Sequence, residues 1–233
     1  YHCSYCGVHI LSEGWRKRDP IRVADEIDYW HSNFGISNFS FYDDALLIRP
    51  QEMAIPLLKE ILRKGLRIQF HCPNGLHLRE ITPEISLLMR QAGFRTIRFG
   101  FETSNPVRQK RTGGKINNHE FIAAVEHLKY AGYRQQDIGV YILCGLPGQP
   151  ADEIRDTIRF VLSSGARPFL AEYSPIPGSD LWNEAILSSP YPIDREPLFH
   201  NKTLMPCKDA SLTDKAYRSL KWMTRNPLRS EDP

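Results

Sequence analysis

The sequence predicts an α/β fold: a partial, open barrel whose mostly parallel strands are wrapped by outer helices. Three observations carry this. Short runs rich in β-branched and aromatic residues alternate with amphipathic helical segments between residues 38 and 174. A glycine closes one helical run after another. The unit repeats at about 30 residues, the length of one strand–helix–strand element. The 233 residues suit one large α/β domain, and 41% hydrophobic content is enough for a sizeable core.

Strands are expected at 38–42, 68–72, 96–101, 138–144 and 169–174. Between them, apolar residues recur at helical spacing, starting with a helix over 23–34. The later faces are Met53, Leu57, Leu58, Ile61 and Leu62; Ile85, Leu88, Met89 and Ala92; Phe121, Val125 and Leu128; and Ile154, Ile158, Val161 and Leu162. Gly65, Gly93, Gly132 and Gly165 stand where each helix must turn left-handed to stop. Thr82-Pro83 places a capping hydroxyl before a first-turn proline. Strand–helix alternation implies parallel strands with right-handed crossovers. Five strands are visible and a sixth is expected upstream of Tyr1, too few for a closed eight-stranded barrel. Functional residues in such a sheet belong at the carboxyl ends of strands. After Trp182 the pattern weakens: 188–208 reads as an irregular, proline-rich segment and 213–224 as a last amphipathic helix.

Composition excludes several classes. A formal net charge of +3 creates no field that argues for nucleic acid. No apolar run approaches the ~18 residues that span a membrane. The opening residues lack the charged and apolar regions of a signal peptide, and a start at Tyr1 points to a piece of a longer chain. Five cysteines with one tight pair do not form a secreted disulfide framework, so a reducing, cytoplasmic setting is expected.

Six segments at strand ends hold the residue types that do chemistry. Cys3 and Cys6 in His2-Cys3-Ser4-Tyr5-Cys6 can place two thiolates on one metal centre. Such a pair suits half a zinc site, a redox dithiol or part of an iron–sulfur site, and no second pair exists for zinc. Asp43 and Asp44 follow the second expected strand; they are either solvated helix-capping acids or acceptors for a ligand's ammonium group. His71-Cys72-Pro73-Asn74-Gly75 reads as a tight turn ending the third. Glu102 ends an apolar strand and needs a donor, which Arg98, four residues earlier on the same strand face, could supply. Arg111-Thr112-Gly113-Gly114-Lys115 is a basic loop. Gly145, Leu146, Pro147 and Gly148 form a loop through which backbone can approach a flat ring, or a plain strand–helix turn. Pro177 lies in an extended Pro-x-Pro-Gly exit loop.

Taken in order, these segments resemble the radical S-adenosylmethionine (SAM) superfamily. Cys3, Tyr5 and Cys6 match the second cysteine, the aromatic and the third cysteine of its C-x-x-x-C-x-aromatic-C motif; the first would fall one residue before Tyr1. The resemblance is greatest to members with a cobalamin-binding domain. It covers residues 1–182 as the core, with 183–233 as an added irregular segment and helix.

The resemblance implies a partial (β/α)6-type barrel and a [4Fe–4S] cluster held by three cysteines, Cys3 and Cys6 among them. An electron from the cluster would cleave SAM to a 5′-deoxyadenosyl radical, for hydrogen abstraction or methyl transfer on an unknown substrate. Tyr5, Asp43, Asp44, Glu102, the Gly145–Gly148 backbone (with Leu146 and Pro147) and Pro177 would contact SAM or the cluster. Cobalamin would come from an upstream domain, and the electron from a donor such as flavodoxin or ferredoxin. With only two cysteines the cluster would be poorly held, leaving this piece alone inactive. The alternatives left open are a non-catalytic remnant and a zinc-binding domain that keeps the barrel.

Overall fold

The computed structural model describes residues 2–11, 14–43 and 46–226. Asp44 lies outside the described residues. In chain order the elements are α1 (Val8–Leu11), α2 (Pro20–Phe34), β1 (Asn38–Ser40), α3 (Ala54–Lys64), β2 (Gln69–Leu76), α4 (Pro83–Ala92), β3 (Phe94–Glu102), α5 (Pro106–Arg111), α6 (Asn118–Tyr130), β4 (Ile138–Cys144), α7 (Ala151–Ser163), β5 (Arg167–Glu172), α8 (Trp182–Ser188) and α9 (Asp214–Arg225). The strands form one open parallel sheet in the order β1-β2-β3-β4-β5, with helices outside it, as the alternating pattern requires. No helix among the described residues is long and apolar enough to cross a membrane.

The contacts divide the chain into two compact units. One comprises residues 15–100 and 119–140, the other 1–14, 101–118 and 141–233. In the first, Phe41 stacks on Phe94 and Phe70 packs tilted against both, with the Phe70 and Phe94 centroids 5.0 Å apart. Asp19 accepts from the amides of Ile21 and Arg22, so α2 starts at Pro20 rather than at residue 23. Thr82 caps α4 as its sequence predicts. Gly93 ends α4 at φ 99°, and a Cβ there would lie 2.3 Å from the Ile68 carbonyl oxygen, so no other residue fits.

The expected turn at Asn74-Gly75 is instead absorbed into β2. The strand runs on to Leu76 with an irregular register after Cys72. Gly75 turns left-handed beside the Gly100 backbone, and the Asn74 amide reaches the Tyr42 carbonyl at 3.0 Å. The Arg98 guanidinium packs over Gly139 and donates to the Ile97 carbonyl.

In the second unit, β5 begins at Arg167, two residues earlier than expected, directly after the Gly165 turn. The segment after Trp182 is not merely extended. Ile193 and Cys207 are buried with Leu143, Leu146, Tyr173 and Ala185, and Tyr5, Trp182 and Phe199 pack around them. Helix α9, capped by Thr213, packs on α7 and β5. The Tyr217 hydroxyl donates to Glu172 there, and Lys221 donates to the Tyr217 oxygen at 2.9 Å.

Candidate functional site

The second unit brings together most of the residues singled out above. Cys3 and Cys6 lie on a loop closed by the Cys6 amide on the Cys3 carbonyl at 3.0 Å. Both thiols are free and half-buried. The Val8 amide donates to the Cys6 Sγ at 3.4 Å, the kind of backbone bond that stabilises a thiolate ligand. Two neighbours hold this loop in place. The Ser4 carbonyl accepts from the Leu181 amide at 2.9 Å, so the exit loop carrying Pro177 is tied to the cysteines. On the other side, Gly113 presses its backbone onto the loop: at φ 111°, a Cβ would stand 2.1 Å from the His2 carbonyl oxygen.

Glu102 occupies the end of β3 in a left-handed conformation, φ 71°, which is costly for any residue but glycine. The residue is buried, at 7% exposure. Tyr5 donates its hydroxyl to it at 2.9 Å, and Lys115 donates from Nζ at 2.5 Å. Burial works against the Lys115 ammonium, yet Glu102 and the Cys3 and Cys6 thiols outweigh it and raise its pKa. Burial, with help from Glu102, pushes the Tyr5 hydroxyl well above its ordinary value. Burial likewise raises the Cys3 thiol, although Lys115 partly offsets this. The arrangement is a cysteine loop backed by a buried carboxylate–ammonium pair, with an aromatic hydroxyl between them.

The loop after β4 is closely packed and hydrogen-bonded. Gly145 turns left-handed at φ 86° against Met205, whose Cβ would be 3.3 Å from any side chain added there. Gln149, fully buried, donates to the Leu143 carbonyl and accepts from the Leu146 amide. Leu146 joins the apolar cluster that Tyr5 flanks, and Gly148 is the exposed member of the loop. Asp43 belongs to the first unit, where its charge lies near Cys72. His71 in that unit bonds Thr96 at 2.9 Å, as a structural histidine does. One other group of ligand atoms converges among the described residues: His2, His9 and Asp180, all exposed.

The donor set suits an iron–sulfur cluster as far as it goes. Two thiols outside any disulfide are available as ligands, an amide is aimed at one sulfur, and the buried Lys115 ammonium partly offsets the burial that raises the Cys3 thiol. The buried Ser4 hydroxyl between the cysteines has no partner among the described residues, so the loop has polar capacity left for a ligand.

The second unit thus sets two free thiols beside a buried carboxylate–ammonium pair, with Glu102 at the end of β3. Residues 1–161 match the Radical SAM superfamily, and the chain belongs to it. The family is that of the radical SAM enzymes, a class that uses SAM and a [4Fe–4S] cluster. It is 26% identical over 196 residues to an uncharacterized methyltransferase, PH0819, of Pyrococcus horikoshii, covering 81% of this chain and 40% of that protein. Among solved structures, the radical SAM methyltransferase TsrM of Kitasatospora setae, with tryptophan and a SAM analogue bound, superposes at TM-score 0.66 with 19% identity, over 80% of this chain and 36% of that one. The cobalamin-dependent radical SAM enzyme OxsB, with aqua-cobalamin bound, superposes at 0.58 with 14% identity, over 80% of this chain and 28% of that one. The two structures share the fold. The chain thus spans well under half the length of these proteins.

Lys115 is the site residue that sequence reasoning passed over. The signal was present: a lysine closing the Gly-Gly turn of the basic loop, 13 residues after a glutamate that needs a donor.

Proposed function

We propose that this chain is the SAM-binding core of a radical SAM methyltransferase of the kind that works with cobalamin from a separate domain. Cys3 and Cys6 serve as two of three thiolate ligands of a [4Fe–4S] cluster. When bound, the reduced cluster supplies the electron that cleaves SAM to a carbon radical. The chain's own residues do the rest by binding and orientation. Lys115 offers its ammonium to the ligand's carboxylate, and Glu102 accepts from the ligand's ammonium or ribose hydroxyls, so the pair complements a zwitterion. Tyr5 fixes Glu102 through its hydroxyl and, with Leu146 and the apolar residues behind it, keeps water from the cysteine loop. Gly145, Leu146, Pro147 and Gly148 present backbone to adenine, with Pro177 on the exit loop beside them. Asp43 and Asp44 stay assigned to the ligand's ammonium by family resemblance alone. We take residues 1–182 as this core. A flavodoxin or ferredoxin is the proposed donor, and the cytoplasm the proposed compartment.

The observation that carries this reading is the buried Lys115–Glu102 pair, at 2.5 Å, bonded through Tyr5 to the cysteine loop. The test is anaerobic reconstitution of the full-length protein, followed by iron and sulfide analysis and EPR of the reduced form. A cubane signal perturbed by SAM, lost in Cys3→Ala and with weakened SAM response in Lys115→Met, is expected. Absence of iron after reconstitution, or a signal indifferent to SAM, would leave the non-catalytic remnant as the better account.

A further inference from the structure

Arg108 sits in the short helix α5, was given no role above, and is only 9% exposed. A buried guanidinium must place its donors, and three of its nitrogens have acceptors. Nε meets the Glu153 carboxylate at 2.7 Å, and the two terminal nitrogens reach the carbonyls of Pro147 at 3.2 Å and Gly148 at 2.8 Å. The same Glu153 oxygen accepts from the Thr103 hydroxyl at 2.9 Å, and Thr103 is the neighbour of Glu102. The base of the network is fixed as well. Asn105 caps α5 through the amides of Val107 and Arg108, Gln109 donates to the Thr103 carbonyl, and the Gly114 amide returns to the Gln109 carbonyl one residue before Lys115.

We propose that Arg108 is a positioning residue that holds the Gly145–Gly148 backbone in register with the Glu102–Lys115 pair. This rests on the reading that this loop flanks adenine. Gly148 is left-handed at φ 60° and exposed, with nothing within 4 Å of its Cβ direction. Gln149 holds the Leu143 and Leu146 backbone behind it, and the Gly148 carbonyl itself is held by its bond to Arg108. The planar fork of arginine can reach two successive carbonyls and a carboxylate at once, whereas lysine offers a single point of charge. Through Arg108 and Glu153, the element that grips one end of the ligand is connected to the element that grips the other.

The test uses the full-length, cluster-loaded protein and two ligands, SAM and free methionine, each titrated against the EPR signal of the reduced cluster. Arg108→Lys keeps the charge and Glu153→Gln keeps an acceptor oxygen, so one variant stands in if the other does not fold. Both should weaken SAM by roughly ten- to a hundredfold, the scale of a displaced positioning contact, and leave methionine binding as in wild type. A general structural defect would weaken both ligands together. Separately, photolysis of an 8-azidoadenosyl analogue of SAM in the wild-type protein reports where adenine lies. Label on residues 145–148 with unchanged SAM-to-methionine discrimination in the variants overturns the role of Arg108 and leaves the adenine reading standing. Label elsewhere overturns the adenine reading, and the inference with it.

Discussion

The Lys115 ammonium lies 2.5 Å from the Glu102 carboxylate, and both side chains are largely buried, at 17% and 9% exposure. Neither residue tolerates loss of the other, because a buried charge without its partner is more costly than no charge at all. Lys115→Met should therefore destabilise the fold by about 3–5 kcal/mol. The double variant with Glu102→Gln should cost less than the sum of the two singles, with a coupling of about 1–3 kcal/mol. Denaturant melts of the four proteins close this cycle; strict additivity would show that the pair does not act as a unit.

Gly113 and Gly114 are adjacent, both with positive φ, and should respond differently. An alanine at 114 meets nothing within 4 Å, so only its backbone preference is offended, at about 1 kcal/mol. An alanine at 113 also drives a methyl into the His2 carbonyl and the Cys3 Cα. Gly113→Ala should cost at least about 3 kcal/mol and lower the iron bound per chain after reconstitution. Equal iron loading in the two variants would show that this contact does not set the cysteine loop.

The buried thiols set an alkaline limit. Burial pushes Cys207 up to about 11 and Cys72 and Cys144 up to about 12, from 9.0 for an ordinary thiol. Below pH 9.0 folded and unfolded chains both keep these protons and the full stability is present. Above it the unfolded chain loses them first, so stability falls with rising pH, and the Cys207 share is gone once pH passes about 11. That share is about 3 kcal/mol at most. Urea midpoints measured from neutral to alkaline pH should decline, and Cys207→Ala should flatten part of the decline.

The segment after residue 182 contributes to the core of its unit. Ile193 is 1% exposed and packs in the cluster that holds Leu143, Leu146 and Tyr173. Ile193→Ala should cost about 2–5 kcal/mol, as a large-to-small change in a dense interior does. A thermal midpoint equal to that of wild type would mean that the segment is only draped on the surface.

What the sequence determined by itself is the periodic part of this protein. Apolar spacing placed the helices, β-branched runs placed the five strands, and Gly65, Gly93 and Thr82-Pro83 marked helix ends, because each of these signals is local and its physics acts within a turn or a strand. The same local reading located Glu102 at the end of β3 and the Gly145–Gly148 loop after β4. Only the tertiary structure decided who pairs with whom. Arg98 stood four residues from Glu102 and looked like its donor, but it packs over Gly139, while Lys115 and Tyr5 reach Glu102 across separations of 13 and 97 residues. Arg108 and Glu153, 45 residues apart, gave no sign in the sequence of a shared bond to the loop after β4. A buried charge takes whichever partner the packed chain brings within about 3 Å. That distance is a property of the assembled sheet and its loops, which no local pattern encodes.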